Sequence, residues 1–380
     1  MVAPRALLFL LSGDWKGISR LPEALLQAGF QVATLSPVGS FLSQTQYANR
    51  HVVMPANANV LQFLLGVILD AQPDIIIPGC EAAVEFLSAV ELAFREAEHD
   101  AGIVYAITLI RRSLGGSDHY SVTTSKHSLL QKARDIGVLV PAQVPVFMLQ
   151  DALLFASVHG YPVVLKTEYG YSGHGVRICR DADEVAAALD ALTEGWRMRD
   201  ETGTANLVQA PPNIAVQQFI AGTPAMQSIS AMSGCVLEHI TVIKEHCFPA
   251  HTGPSSVVRF IEHEGIGAAM TTLVAALQYS GFGSADFIID TVSQQAYLLE
   301  LNARPCPISH IGRLVDRDIA RALCCHLKGE SYIRENKANL PERVALFPQE
   351  WLRDAQSPWL TQIHHDVPWG DPGLLRALLQ

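Results

Sequence analysis

The chain has 380 residues, of which 49% are apolar and 17% charged, a composition typical of an ordered globular protein and not of a disordered or fibrous one. The formal net charge of −10 at pH 7 argues against a general nucleic-acid-binding protein, which needs surplus Lys and Arg. The seven cysteines are scattered without a Cys-x-x-Cys pair, so the sequence predicts neither a disulfide framework nor a zinc site and favours a reducing cytoplasm.

The first 115 residues alternate strand and helix patterns. Apolar runs at 6–11, 31–35 and 74–77 predict buried strands, and apolar segments at 60–69 and 83–90 predict helices between and after them. No apolar run reaches the ~20 residues of a membrane span, so no membrane partner is expected. The alternation predicts a small open α/β domain with a parallel sheet, whose ligand groups lie at the carboxyl ends of its strands.

The next segment predicts a two-part α/β domain over residues 116–330. Within it, strand, helix and Gly-rich turn patterns at about 145–220 predict a small α+β lid, which is compact enough to move. Residues 331–380 are rich in Pro and Trp and have weak periodicity, so they are predicted to be a C-terminal appendage. His364 and His365 within it are interpreted as structural, because adjacent residues on a strand point apart.

The strongest chemical signal is a pair of strand patterns that carry Asp286, Glu300 and Asn302. Glu300 and Asn302 are two residues apart, so both point to one face of a strand, and Arg304 would join them if the strand continued. A hairpin could bring Asp286 beside Glu300. Two carboxylates and an amide oxygen suit Mg²⁺ that is shared with phosphates. The alternative is a solvated hairpin face, which the flanking leucines argue against.

A second signal follows a predicted buried strand that ends at Lys166. The turn after it is rich in glycine and contains Gly170, Ser172, Gly173 and Gly175. Backbone N–H groups in such a turn can approach phosphates while the lysine ammonium supplies a positive charge. An ordinary glycine-rich hairpin turn is the alternative, and the segment fits neither the Walker A pattern nor the dinucleotide fingerprint.

Three weaker features complete the set. Lys126 precedes a predicted helix; Gln217, Gln218, Phe219 and Ile220 form a strand pattern that runs into Gly222; and Arg259 follows a Gly-Pro-Ser-Ser stretch. Each has a plain alternative as a solvated lysine, an edge strand and a surface arginine.

Taken together and in this order, these features resemble the ATP-grasp superfamily, most nearly its carboxylate–amine ligases and biotin-carboxylase-like proteins. The resemblance covers roughly residues 1–330 and is most specific in the Glu-x-Asn-x-Arg-Pro segment. It implies that Lys126 and Lys166 bind the nucleotide, that residues 170–175 form a flexible phosphate loop, and that the backbone of residues 217–220 contacts adenine. Asp286, Glu300 and Asn302 would hold Mg²⁺ or Mn²⁺.

The resemblance also implies a reaction. ATP would phosphorylate a substrate carboxylate, and an amine would attack the acyl phosphate, with Arg304 and Arg259 orienting the carboxylate. The alternatives are a carboxylase that acts through carboxyphosphate and a nucleotide-binding regulatory module without turnover. The expected partners are small molecules, together with a second copy of the chain in a homodimer. Two departures from the family pattern are Thr167 in place of proline and the absence of an acidic ribose-binding residue, for which Gln227 is a candidate substitute.

Overall fold

The computed structural model describes residues 2–13, 16–96, 100–168, 175–201, 214–248 and 253–380. These residues form three sheets: a parallel sheet of four strands, an antiparallel sheet of four strands and a mostly antiparallel sheet of seven strands. Each has its own set of packed helices. No helix in the described ranges is long and apolar enough to cross a membrane.

The N-terminal region is an open α/β domain, as the sequence predicts. Its elements in chain order are β1 (Arg5–Phe9), α1 (Leu21–Ala28), β2 (Gln31–Pro37), β3 (Arg50–Met54), α2 (Val60–Ala71), β4 (Ile75–Pro78), α3 (Glu81–Phe94) and α4 (Ala101–Leu114). All pairings are parallel in the order β3–β2–β1–β4. β1 and β4 are apolar along nearly their whole length because helices cover both faces of a parallel sheet. Their carboxyl ends lead into the first turns of α1 and α3.

A helical connection and a small sheet come next. They comprise α5 (Tyr120–Thr123), α6 (Lys126–Asp135), β5 (Gln143–Val146), α7 (Leu149–His159), β6 (Val163–Thr167), β7 (Val176–Cys179), α8 (Ala182–Glu201) and β8 (Ile214–Gln218). The sheet is antiparallel in the order β5–β8–β6–β7, within the predicted lid. The alternative that residues 217–220 form an edge strand is wrong, because β8 lies between two partners and ends at Gln218.

The largest sheet forms the centre of the molecule. Its elements are β9 (Gly222–Met232), β10 (Cys235–Cys247), β11 (Ser255–Phe260), α9 (Glu264–Ala276), β12 (Gly281–Asp290), β13 (Ala296–Asn302) and α10 (Ile319–Lys328). One face, which includes Ala225 and Phe287, packs in a core with α6 and α9. The other face, which includes Met226 and Val242, belongs to a core shared with the N-terminal domain.

The C-terminal residues are part of this sheet and not an appendage to it. They form β14 (Arg343–Leu346), α11 (Gln349–Arg353), α12 (Trp359–Gln362), β15 (His364–Asp366) and α13 (Pro372–Leu378). β14 pairs with β11 and β15 pairs with β14, which completes the order β13–β12–β9–β10–β11–β14–β15. This role could not be predicted from the sequence, because strands of three or four residues are too short to show the alternation of apolar and polar residues.

Candidate functional site

The β12–β13 hairpin places two carboxylates side by side. In its register Asp286 is directly opposite Glu300 and Ser284 is opposite Asn302, so the predicted hairpin is confirmed. The two carboxyl groups are close enough for each to shift the pKa of the other. The side chains of Asp286 and Glu300 keep 20% and 30% exposure, so both carboxylates are accessible from outside the sheet.

Two lysines neutralise these carboxylates. Lys126 lies in the first turn of α6, which begins there because the Ser125 hydroxyl accepts the N–H of Ser128 at 3.1 Å. Its Nζ is 3.5 Å from Glu300 Oε2. Lys244 Nζ, on β10, is 2.5 Å from Asp286 Oδ1. The four side chains therefore form one charged cluster that draws on four separate elements, namely α6, β10, β12 and β13.

Lys244 is a member of this cluster that was not predicted from the sequence. It lies two residues after Val242, which is fully buried, so both point to the same face of β10. A lysine that continues an apolar face of a strand is costly unless it has a charged partner. Lys166 follows the apolar run 162–165, and Lys244 likewise follows Val242 and Ile243, so a comparable sequence signal exists for Lys244.

The charges of the cluster shift one another's ionisation. Burial raises the pKa of Asp286, and the neighbouring charge of Glu300 adds to this shift. Burial opposes ionisation of Glu300, yet the ammonium of Lys126, the hydrogen bond from Asp286 and the other two lysines lower its pKa to about 2. Two carboxylates this close repel each other when both are ionised, so the pair favours a bound cation.

The donor set fits Mg²⁺ held jointly by protein and ligand. The hairpin supplies two carboxylates and, two residues further along β13, the amide of Asn302, all hard oxygen donors. Among the described residues there is no cluster of three or more His, Cys, Asp or Glu side chains that could hold a metal by itself. Mg²⁺ is commonly bound by one or two carboxylates together with substrate phosphates, so a pair is sufficient.

The lid carries a third lysine toward this cluster. Lys166 alternates with Val163 and Leu165, which are fully buried among the lid core, and so lies on the opposite face of β6. Burial lowers the pKa of Lys166 to about 8, the ammonium of Lys126 adds to this shift, and Glu300 and Glu168 oppose it. Lys166 therefore interacts electrostatically with both members of the Lys126–Glu300 pair.

Part of the predicted phosphate loop lies outside the described residues, namely Gly170, Ser172 and Gly173, and its role stays a prediction. Gly175 is described and has a structural explanation. Its φ of +87° is unfavourable for other residues, and a Cβ there would collide with the Thr167 hydroxyl. Its carbonyl accepts the Thr167 N–H at 3.0 Å, which closes the β6–β7 hairpin.

Residues 219–221 connect the lid to the large sheet. Gln217, at the end of β8, is buried and its side-chain amide donates to Gln143 Oε1 at 3.1 Å. Gln218 donates its N–H to the Ala142 carbonyl. Phe219 and Ile220 follow the strand and are half-buried, and no main-chain hydrogen bond within the described residues involves either one.

Arg304 joins the large sheet to the N-terminal domain. β13 ends at Asn302, so the strand does not continue as far as Arg304. Its side chain is 6% exposed, donates to the Pro305 carbonyl at 3.1 Å and forms an ion pair with Glu81 at the start of α3. Glu81 is itself half-exposed. The guanidinium thus reaches the carboxyl end of β4, the edge at which ligand groups were expected.

Two predicted side chains lie on the other face of the large sheet. Arg259 alternates with Val258, which packs on the face of Asp286, and its guanidinium pairs with Glu245 at 2.8 Å. Gln227 is 1% exposed and donates to Thr241 Oγ1 at 2.8 Å. Alternation along the strands thus points both side chains away from Asp286, which argues against the predicted substrate contact of Arg259 and ribose contact of Gln227.

A family model and several solved structures resemble this chain. Residues 125–208 match the model of the carbamoyl-phosphate synthase L chain ATP-binding domain. The biotin carboxylase domain dimer of Hydrogenobacter thermophilus 2-oxoglutarate carboxylase, solved with MgADP, ADP and bicarbonate, has a TM-score of 0.63 at 18% identity. That match covers 88% of this chain and 72% of the other.

Two further structures have similar scores. Biotin carboxylase from Campylobacter jejuni, solved with a nucleotide, has a TM-score of 0.64 at 16% identity over 88% of this chain and 74% of the other. N5-carboxyaminoimidazole synthetase from Staphylococcus aureus has a TM-score of 0.60 at 12% identity over 86% and 78%. The chain therefore has the ATP-grasp fold, and the resemblance and fold class that the sequence predicted are confirmed.

Proposed function

We propose that the protein is an ATP-dependent ligase that activates a carboxylate as an acyl phosphate and joins it to an amine. The observation that carries this proposal is the convergence of three lysines, two carboxylates and an amide in one cleft between the lid and the large sheet. Phosphoryl transfer depends mainly on positioning and charge neutralisation, so it needs no covalent protein nucleophile.

The nucleotide would bind between the two sheets. Lys126 and Lys166 carry positive charge toward the phosphates, and Asp286, Glu300 and Asn302 would hold Mg²⁺, with Mn²⁺ as a substitute. The bound cation would draw charge from the phosphate oxygens. Phe219 and Ile220 have main-chain groups outside the strand pairings, which suits contact with the edge of adenine. Lys244 holds Asp286 in place and adds a third positive charge.

The chemistry has two transfers. A carboxylate oxygen of the substrate attacks the terminal phosphorus of ATP, so that an O–P bond forms and the bond to the ADP oxygen breaks. The amine nitrogen then attacks the acyl carbon, phosphate leaves with the electrons of the C–O bond, and the nitrogen releases a proton. The lid would exclude water from the acyl phosphate, which otherwise hydrolyses.

The acceptor carboxylate is assigned to Arg304. Glu81 forms an ion pair with this guanidinium, which supports the assignment because the Glu81 side chain is itself a carboxylate. Because Glu81 is 46% exposed, it can turn toward solvent when a substrate carboxylate takes its place. A planar, bidentate guanidinium orients a carboxylate better than an ammonium does.

A carboxylase reaction through carboxyphosphate is the second candidate. It is favoured by the similarity to biotin carboxylase structures, one of which was solved with bicarbonate. Bicarbonate would then take the place of the substrate carboxylate. A regulatory module without turnover would bind nucleotide at the same residues.

The deciding experiment measures ADP release over a matrix of carboxylates and amines, with bicarbonate as one of the carboxylates. A ligase releases ADP with one carboxylate–amine pair, whereas a carboxylase requires bicarbonate. Asp286→Asn should abolish the activity, and Asp190→Asn, on the exposed surface of α8, is the matched control. MgATP binding without ADP release under any condition would contradict both enzyme candidates.

The homodimer and the cytoplasmic location remain proposals. The Hydrogenobacter structure is a domain dimer, which supports the first. Light scattering coupled to size-exclusion chromatography would test it directly.

A further inference from the structure

A second polar cavity lies outside the residues assigned above. It has a volume of about 200 Å³ and forms where the first turn of α1, the segment after β13 and the loop after β15 meet. We call it the junction pocket and define it by Arg20, His310, Arg313, Asp366 and Trp369. A water molecule takes about 30 Å³ in the liquid, so this volume suits a molecule of amino-acid size.

Fixed charges of both signs line the junction pocket. Asp366 is 2.6 Å from His310 Nε2 and 3.2 Å from Arg20 Nη2. Glu23 is 3.7 Å from Arg20 and 3.4 Å from Arg313. Arg20, His310 and Asp366 are all more than nine-tenths buried. Packing therefore fixes their positions, and they do not form a solvated surface. A buried network of this kind stiffens the site that it lines.

Two buried polar atoms in the wall lack a hydrogen-bond partner within the part of the chain that the structure describes. They are Arg20 Nε and His365 Nε2. Such atoms are rare in native proteins, because taking a polar group out of water without a partner is costly. Both atoms are closed off from solvent, so the polar character of the pocket comes instead from the charged groups of Arg20, Glu23, Arg313 and Asp366 that line it.

The side chain of Trp369 provides an aromatic surface at the rim of the junction pocket. The Trp369 indole is 77% exposed, yet its loop is anchored. The carbonyl of the next residue, Gly370, accepts a hydrogen bond from the Tyr47 hydroxyl at 3.0 Å, and Asp371 accepts one from Thr45. An exposed indole on an anchored loop offers apolar contact at a small entropic cost, which is typical of recognition surfaces.

We infer that the junction pocket binds a small zwitterion of amino-acid size, with its carboxylate toward Arg313, its ammonium toward Glu23 and its side chain against Trp369. A ligand with a single charge would meet a like charge in the same wall, whereas a zwitterion complements both. Arg20 follows β1 and Glu81 follows the adjacent β4. The junction pocket and the Arg304–Glu81 pair therefore border the same edge of the first sheet.

This inference rests on the proposed function, since the bound molecule would be the amine that attacks the acyl phosphate. The reacting amine is the deprotonated form, so the ammonium loses its proton before attack. The activated acyl group comes from the other substrate at Arg304. The product would then be an amide whose amine part carries a free carboxylate.

The test is isothermal titration calorimetry of the full chain with each of the twenty proteinogenic L-amino acids, with and without MgADP. At least one amino acid should bind, and its methyl ester and its N-acetyl derivative should each bind at least tenfold more weakly. Trp369→Ala and Arg313→Ala should weaken binding at least tenfold. Trp351→Ala is the matched control, because this tryptophan is 36% exposed on α11 and does not line the pocket.

The outcomes separate the two proposals. No binding of any amino acid by a protein that binds MgADP would overturn the inference and leave the proposed function standing. Equal binding by the Trp369 and Trp351 variants would also overturn it. Amino-acid binding that depends on Trp369, in a protein that neither binds MgADP nor releases ADP, would support the junction pocket and contradict the ligase.

Discussion

Two hairpins meet at the candidate site, and they are supported very differently. β12–β13 lies in a seven-stranded sheet, packed on one face by α9 and bordered on the other by the N-terminal core. β6–β7 belongs to a four-stranded lid with a small core of its own. The first can hold two like charges at a fixed distance, and the second can move its lysine with little loss of packing. The proposed metal ligands and the proposed phosphate contacts thus lie on hairpins that are supported by cores of different size.

The largest effect is expected at the stiff hairpin. Asp286→Asn and Glu300→Gln each remove a charge that holds the cation against the phosphates, so turnover should fall by about 10²-fold or more. Both variants should stay folded by circular dichroism, since each is similar in size to the residue it replaces. Steady-state ADP release measures the effect, and wild-type turnover in both variants would remove the metal site.

The second largest effect on turnover is expected at Arg304, which connects this hairpin to the N-terminal domain. Arg304→Lys keeps the positive charge but loses the planar guanidinium that can donate two parallel hydrogen bonds to a carboxylate. A charged hydrogen bond contributes about 1.5–3 kcal/mol, so turnover with the carboxylate should fall by roughly tenfold or more. Nucleotide binding should change little. Arg259→Lys, on the opposite face of the sheet, is the control. Similar losses in both variants would mean that Arg304 has no special part in carboxylate binding.

The lid lysine should give a smaller, pH-dependent effect. Because the pKa of Lys166 is lowered to about 8, its positive charge is complete at pH 6 and is lost as pH rises through about 8. The kcat/KM for MgATP should therefore fall about twofold by that pH and continue to fall above it. Lys166→Arg stays charged and should remove this decline. A parallel decline in both proteins would assign it to another group.

The last effect is expected on stability, at the turn that closes the lid hairpin. Gly175→Ala must adopt a φ of +87° and also displace Thr167. Gly137→Ala has nearly the same backbone requirement, with a φ of +81°, but meets no neighbouring atom. Thermal unfolding should show a loss of about 1–2 kcal/mol in the control and a larger loss in Gly175→Ala. Equal losses would mean that the contact with Thr167 is unimportant.

Local patterns predicted much of the site. Period-two alternation in the two strands was enough to pair Asp286 with Glu300 and to set Asn302 beside them, because side chains of a hairpin follow its register. Lys166 could also be predicted as a ligand-binding residue, because it ends an apolar strand pattern. Lys244 carries a similar signal, because it follows the apolar residues Val242 and Ile243.

Other assignments depended on neighbours that local patterns do not specify. Arg259 and Gln227 look suitable as ligands in the sequence, but the register of β9, β10 and β11 points them to the face away from Asp286. β14 and β15 are too short to show alternation, and they become strands because β11 offers an unpaired edge. The Glu81–Arg304 pair joins residues 223 positions apart.

The sequence by itself determined the class of fold, the order of its parts and the chemistry of its strongest motif. Those properties are local: apolar periodicity decides between helix and strand, and the spacing of polar residues decides which of them share a face. Only the tertiary structure decided which lysine neutralises which carboxylate, which arginine reaches the cleft, and that C-terminal residues enclose a second polar pocket. These depend on strand order and on contacts between distant segments, whose energies are set when the whole chain packs together.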